Sequence, residues 1–111
     1  MDKKPFIADT EKANEIMMYL HAALHKHGLT PCNIALFGSF LHENNHAESD
    51  LDMIIISEKF EGKNHLDRFN LTRLAEREVM KKYVVPMDIL KKSPNEYNNP
   101  QLKMFESKIV I

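Results

Sequence analysis

Leu51-Asp52-Met53-Ile54-Ile55-Ile56 is the segment that most narrows what this chain can fold into. It is short, rich in β-branched residues and closed by Ser57-Glu58. Such a run reads as a strand. Apolar residues fall on both of its faces, so it reads as a central strand. Asp50 and Asp52 stand at its mouth, spaced one apart. Side chains alternate along a strand, which turns both acids to the same face. Two carboxylates held together repel unless something neutralises them.

A divalent cation does this well. Mg²⁺ prefers oxygen ligands and keeps open positions for water and phosphate oxygens. Solvated acids at a strand start are the plainer reading, but solubility alone poorly explains a pair at the mouth of a buried strand.

A second apolar run, Asn33-Ile34-Ala35-Leu36-Phe37, ends at Gly38-Ser39. Gly38 lets backbone approach a ligand closely. Ser39 can open a short helix to about Asn44, and a helix N-terminus offers free N–H groups to phosphate. Alone, a Gly-Ser pair is weak, because turns are full of it. Its weight comes from the ten residues that separate it from Asp50. A third acid, Asp88, is the polar residue inside Val84-Val85-Pro86-Met87-Asp88-Ile89-Leu90. That run predicts another short strand, and Pro86 argues for a sheet edge or a bulge. If it lies beside the Asp52 strand, the three carboxylates can converge.

The rest of the chain supplies helices. Ala13, Ile16, Met17, Leu20 and Leu24 recur at helical spacing. They predict a helix from about Thr10 to His27, with Gly28 as its C-terminal cap. Asn64 caps a second helix with Leu66, Leu71, Leu74, Ala75 and Val79 as its expected buried face. Ser93-Pro94-Asn95-Glu96 is a capping box that opens a third. The predicted architecture is α+β, a mixed sheet with helices chiefly on one face and the other face open for a site.

Composition bounds the function. At 111 residues the chain is read as a single domain, 1–111. Net charge is −1, so no overall field draws it to nucleic acid, and strong nucleic-acid binding is not expected. No apolar segment approaches bilayer length, so no membrane partner is expected. Met1-Asp2-Lys3-Lys4-Pro5 lacks the apolar stretch of a signal peptide. The single cysteine, Cys32, fits a reducing cytoplasm and reads as a small packing residue. A cytoplasmic location is expected. His21 and His25, four apart, have zinc-binding spacing, but no further ligand is evident in the sequence. With His27 they read as surface histidines. Met17, Met18, Met80, Met87 and Met104 read as core filler, and Lys81-Lys82 and Lys91-Lys92 as solvated surface.

Gly38-Ser39, Ser49-Asp50-Leu51-Asp52 and Asp88 together resemble the minimal nucleotidyltransferases of the DNA polymerase β superfamily, of the stand-alone type found in HEPN toxin–antitoxin pairs. The resemblance spans nearly the whole chain and implies a polymerase β palm-like fold. It implies that Gly38, Ser39 and Ser49 hold nucleotide phosphates, with His42 standing in for part of an Arg contact. Asp50, Asp52 and Asp88 are implied as catalytic, metal-binding carboxylates for Mg²⁺ or Mn²⁺. Many relatives carry Arg-Gly where this chain has His42-Glu43, which predicts weaker triphosphate binding. The implied activity moves a nucleoside monophosphate, AMP from ATP in the first instance, to a hydroxyl acceptor. Larger relatives bind the acceptor with an additional domain, so here a second chain is expected to present it. A helical HEPN-type protein is the favoured partner and a second copy of this chain the other. The alternative function is a non-catalytic nucleotide-binding or antitoxin module of the same fold.

Overall fold

The computed structural model describes residues 10–37, 51–99 and 107–111. Helix α1 spans Thr10–Lys26, strand β1 Asn33–Phe37 and strand β2 Leu51–Ile56. A 3₁₀ turn, Glu58–Phe60, leads to α2, His65–Lys82. Strand β3, Met87–Lys92, the short α3, Pro94–Asn98, and strand β4, Ser107–Ile109, complete the order.

The strands form one mixed sheet in the order β3-β2-β1-β4. β1 pairs antiparallel with both β2 and β4, whereas β2 and β3 run parallel, with α2 as the crossover between them. The doubly apolar run is therefore a central strand, as its sequence predicts. β3 is an edge strand. It begins one residue after Pro86, whose carbonyl accepts from Leu51 N–H at 3.0 Å. The expected start at Val84 moves to Met87, and the strand runs on to Lys92.

One sheet face carries the main core. Ile34, Leu36, Leu51, Met53 and Ile55 meet Ala13, Ile16, Met17, Leu20 and Leu24 of α1 and Ala75 and Val79 of α2. The opposite face gathers Ala35, Phe37, Ile54 and Ile56, with Leu90 and Tyr97 against them. Helices thus lie chiefly on one face, and among the described residues only the short α3 brings a helical side chain to the other.

Caps explain where the helices stop. Gly28 sits at φ +93°, which only glycine adopts readily. Leu29 N–H donates to the Leu24 carbonyl at 2.8 Å and Gly28 N–H to the His25 carbonyl at 3.0 Å. This pair of bonds is a Schellman motif, with Leu24 and Leu29 both buried behind it. Asn64 caps α2 by accepting from Asp67 N–H at 2.8 Å. At α3 the predicted capping box is present, with Ser93 and Glu96 bonded reciprocally.

Three expectations are corrected. Leu66 and Leu74 of α2 are 65% and 42% exposed, and the buried stripe is Arg68, Thr72, Ala75 and Val79, with Leu71 half-buried beside it. A polar side chain can face inward when each of its polar atoms has a partner, and all three guanidinium nitrogens of Arg68 do. Its Nε donates to the Lys63 carbonyl at 2.9 Å and its Nη1 to the Lys91 carbonyl at 2.8 Å. Both Nη atoms also grip the Glu96 carboxylate, at 2.7 and 3.1 Å. Among the methionines, Met17 is core and Met87 half-buried, but Met18 and Met80 are exposed; Met104 lies outside the described residues. Lys91 is no free surface group either, since it pairs with Glu76 at 2.9 Å.

Candidate active site

The parallel pairing of β2 with β3 aligns Leu51 with Met87, Asp52 with Asp88 and Met53 with Ile89. Leu51, Met53, Met87 and Ile89 belong to the helix-covered core, so alternation turns Asp52 and Asp88 to the opposite face. Adjacent strands lie about 4.8 Å apart, which brings the two carboxylates within reach of one ligand. Asp52 is half-buried and Asp88 exposed.

The row continues across the sheet. Phe37 stands opposite Asp52, and Ser107 of β4 stands opposite Phe37. Asp88, Asp52, Phe37 and Ser107 thus form one line over four strands. At its far end the Ser107 and Tyr97 hydroxyls share a hydrogen bond of 2.7 Å. Sequence reasoning missed Ser107 and Tyr97. Neither shows a motif, and only the antiparallel β1–β4 register connects them to the acids.

Phe37 is the residue immediately before Gly38-Ser39 in the sequence. The strand that precedes the expected phosphate-binding pair therefore ends beside Asp52. Gly38, Ser39, His42, Ser49 and Asp50 themselves lie outside the described residues. The structure brings together two members of the expected acid set, Asp52 and Asp88.

Two adjacent carboxylates supply hard oxygen donors, and an exposed flank leaves room for water and phosphate oxygens. That donor set fits Mg²⁺ or Mn²⁺ far better than a softer ion. Asp52 and Asp88 are the described residues that would hold it.

The sequence model of the nucleotidyltransferase domain family matches residues 17–111. The chain belongs to this family. Its fold is also that of a solved structure from Sulfolobus solfataricus, a protein assigned to the nucleotidyltransferases. The two superpose with a TM-score of 0.72 over 97% of this chain and 87% of the other. Sequence identity between them is 13%, so this likeness speaks to the fold alone. No curated protein is significantly similar to this chain in sequence. A minimal nucleotidyltransferase fold, with a mixed sheet and helices packed chiefly on one face, is what the sequence predicts. Among the described residues, no helix is long and apolar enough to cross a membrane.

Proposed function

We propose that this nucleotidyltransferase domain transfers a nucleoside monophosphate, AMP from ATP, to a hydroxyl acceptor. One observation carries the reading: Asp52 and Asp88 share a register position on neighbouring parallel strands. In the reaction the acceptor oxygen attacks the α-phosphorus and forms a new P–O bond. The bond from the α-phosphorus to the bridging oxygen breaks, and pyrophosphate leaves. The acceptor's proton passes to a base. Asp88, the more exposed of the two carboxylates, is assigned that role and helps hold the metal. Asp52 and Asp50 complete the metal-binding set, and Gly38, Ser39 and Ser49 hold the phosphates. Mg²⁺ or Mn²⁺, when bound, neutralises phosphate charge at this site. Catalysis here is mostly positioning and charge neutralisation.

We assign the acceptor to a partner chain. The resemblance to stand-alone nucleotidyltransferases of HEPN pairs favours a helical toxin, which AMP attached to a hydroxyl would silence, in the cytoplasm. A second copy of this chain is the other candidate. Intact-mass spectrometry of this protein co-expressed with such a partner tests the reading. The expected result is an adenylyl adduct on the partner that disappears with Asp88→Asn. Efficient modification of a small alcohol by this chain alone would overturn the partner assignment.

A non-catalytic binding module is the second reading, and the acidic Glu43 supports it. It stands where many relatives have glycine, beside His42 in place of arginine, and it would repel a triphosphate. Labelled ATP that binds without turnover, with partner and Mg²⁺ present, would select this reading.

A further inference from the structure

The strongest unassigned feature lies away from the acid row. One ligand-capable atom from each of His21, His25 and Cys32 lies within 4.8 Å of the other two. His21 and His25 are one turn apart on α1, and their ring centroids are 4.7 Å apart. Cys32 comes from the segment that enters β1. The Schellman turn at Gly28 reverses the chain after α1 and carries Cys32 back against the helix. In the sequence the two histidines lack a third ligand, because this reversal cannot be read from spacing.

We propose that His21, His25 and Cys32 form a site for a borderline-soft divalent cation of the zinc type. The chemistry of the donors selects the ion. Two imidazoles and a thiolate suit Zn²⁺, whereas Mg²⁺ prefers oxygen. Ligands around tetrahedral zinc, at roughly 2.0–2.3 Å from the metal, stand roughly 3.3–3.8 Å from each other. Small side-chain rotations from the present spacing reach that arrangement. Three protein ligands leave the fourth position to water.

A second contact supports the site. His21 Nε2 lies 3.1 Å from the Cys32 backbone carbonyl. A ring whose Nε2–H donates to that carbonyl carries its lone pair on Nδ1, free for a metal. Ligating histidines commonly use this device, the second nitrogen bonded to a carbonyl that fixes tautomer and ring angle. The site also has an entry path, because His25 is exposed while Cys32 is only 7% exposed. On binding, the Cys32 thiol releases its proton to solvent, a metal–sulfur bond forms, and no redox change occurs. The ion would clip the last turns of α1 to the entrance of β1. The acid row lies at the other end of β1, beyond four residue steps or about 13 Å of strand. The proposal is therefore independent of the nucleotidyl-transfer reading.

Co²⁺ is the spectroscopic probe and Zn²⁺ the affinity probe. Apo protein titrated with Co²⁺ should develop a thiolate-to-cobalt charge-transfer band and intense tetrahedral visible bands at one equivalent. Zn²⁺ should bleach them and raise the melting temperature. Cys32→Ser should remove the charge-transfer band. His25→Ala changes an exposed residue and so tests the site even if Cys32→Ser fails to fold. It should weaken Zn²⁺ binding about tenfold or more, since even outer partners of ligands are worth that much. Asp52→Asn with Asp88→Asn should leave the cobalt spectrum unchanged, which separates this site from the acid row. A cobalt complex without a thiolate band overturns the assignment. So does unchanged Zn²⁺ affinity in His25→Ala, or loss of the spectrum in the double Asp variant.

Discussion

Asp52 and Asp88 stand side by side at one register position of two parallel strands, on the sheet face opposite α1 and α2. They arrive there from opposite sides of the 18-residue helix α2, so only the β2–α2–β3 crossover brings them together. Two like charges on neighbouring strands repel each other, and a divalent cation held between them would offset that repulsion. Mg²⁺ or Mn²⁺ together with ATP should therefore raise the melting temperature of the wild-type protein. Asp52→Asn with Asp88→Asn should abolish that rise and leave the unliganded fold intact. Differential scanning fluorimetry decides it. An equal shift in the double variant would remove both residues from the site.

The second prediction concerns the segment between the strands. Glu43 and His42 replace the Gly and Arg expected from the family pattern. His42→Arg with Glu43→Gly should tighten ATP binding by about tenfold, or ~1.4 kcal/mol. That is the scale of one charge-assisted contact plus relief of one repulsion. Isothermal titration calorimetry gives the answer, and unchanged or weaker affinity would mean that these residues do not face the phosphates.

Much of this was legible in the sequence, for a physical reason. β1 and β2 announce themselves because they are buried runs with polar punctuation, and their bounds match the expectation residue for residue. α1 announces itself through one unbroken apolar stripe. α2 does not, because its inward face includes Arg68 and Thr72, and a reading that counts only apolar residues turns the helix the wrong way. Arg68 is tolerated inside because Lys63, Lys91 and Glu96 satisfy it, and those three partners are distant in sequence or irregular in spacing. The site shows the same division. The acids carry a motif, whereas Ser107, Tyr97 and the approach of Cys32 to His21 and His25 depend on register and turn geometry.

The third prediction follows from the Arg68–Glu96 pair. The Arg68 guanidinium, helped by the Ser93 backbone N–H, holds the Glu96 carboxyl well below its usual range, at about 2. A depressed carboxylate pKa stabilises the fold above the unfolded value near 4.5 and loses that stability as pH falls through the folded value. Glu96 is 33% exposed, so screening trims the contribution to roughly 1–2 kcal/mol. Urea midpoints of wild type and Glu96→Gln should differ at pH 7 and converge between about pH 4.5 and 2. A gap that stays constant with pH would show that the carboxylate charge is not what stabilises this corner.

The fourth prediction tests which face of α2 is buried. Val79 is fully buried against the sheet, whereas Leu74 is 42% exposed. Val79→Ala removes two methyl groups from the packed core and should cost about 1.5–3 kcal/mol. Alanine's better helix propensity offsets only a few tenths of a kcal/mol of that. Leu74→Ala should change stability by no more than about 0.5 kcal/mol, as for most surface substitutions. Leu66→Ala should behave like Leu74→Ala, because it is the more exposed of the two. Chemical denaturation of the three variants gives the order directly. If Leu74→Ala costs as much as Val79→Ala, then α2 is rotated about its axis. Arg68 would then face solvent, and its grip on Glu96 and on the end of β3 would be lost with it.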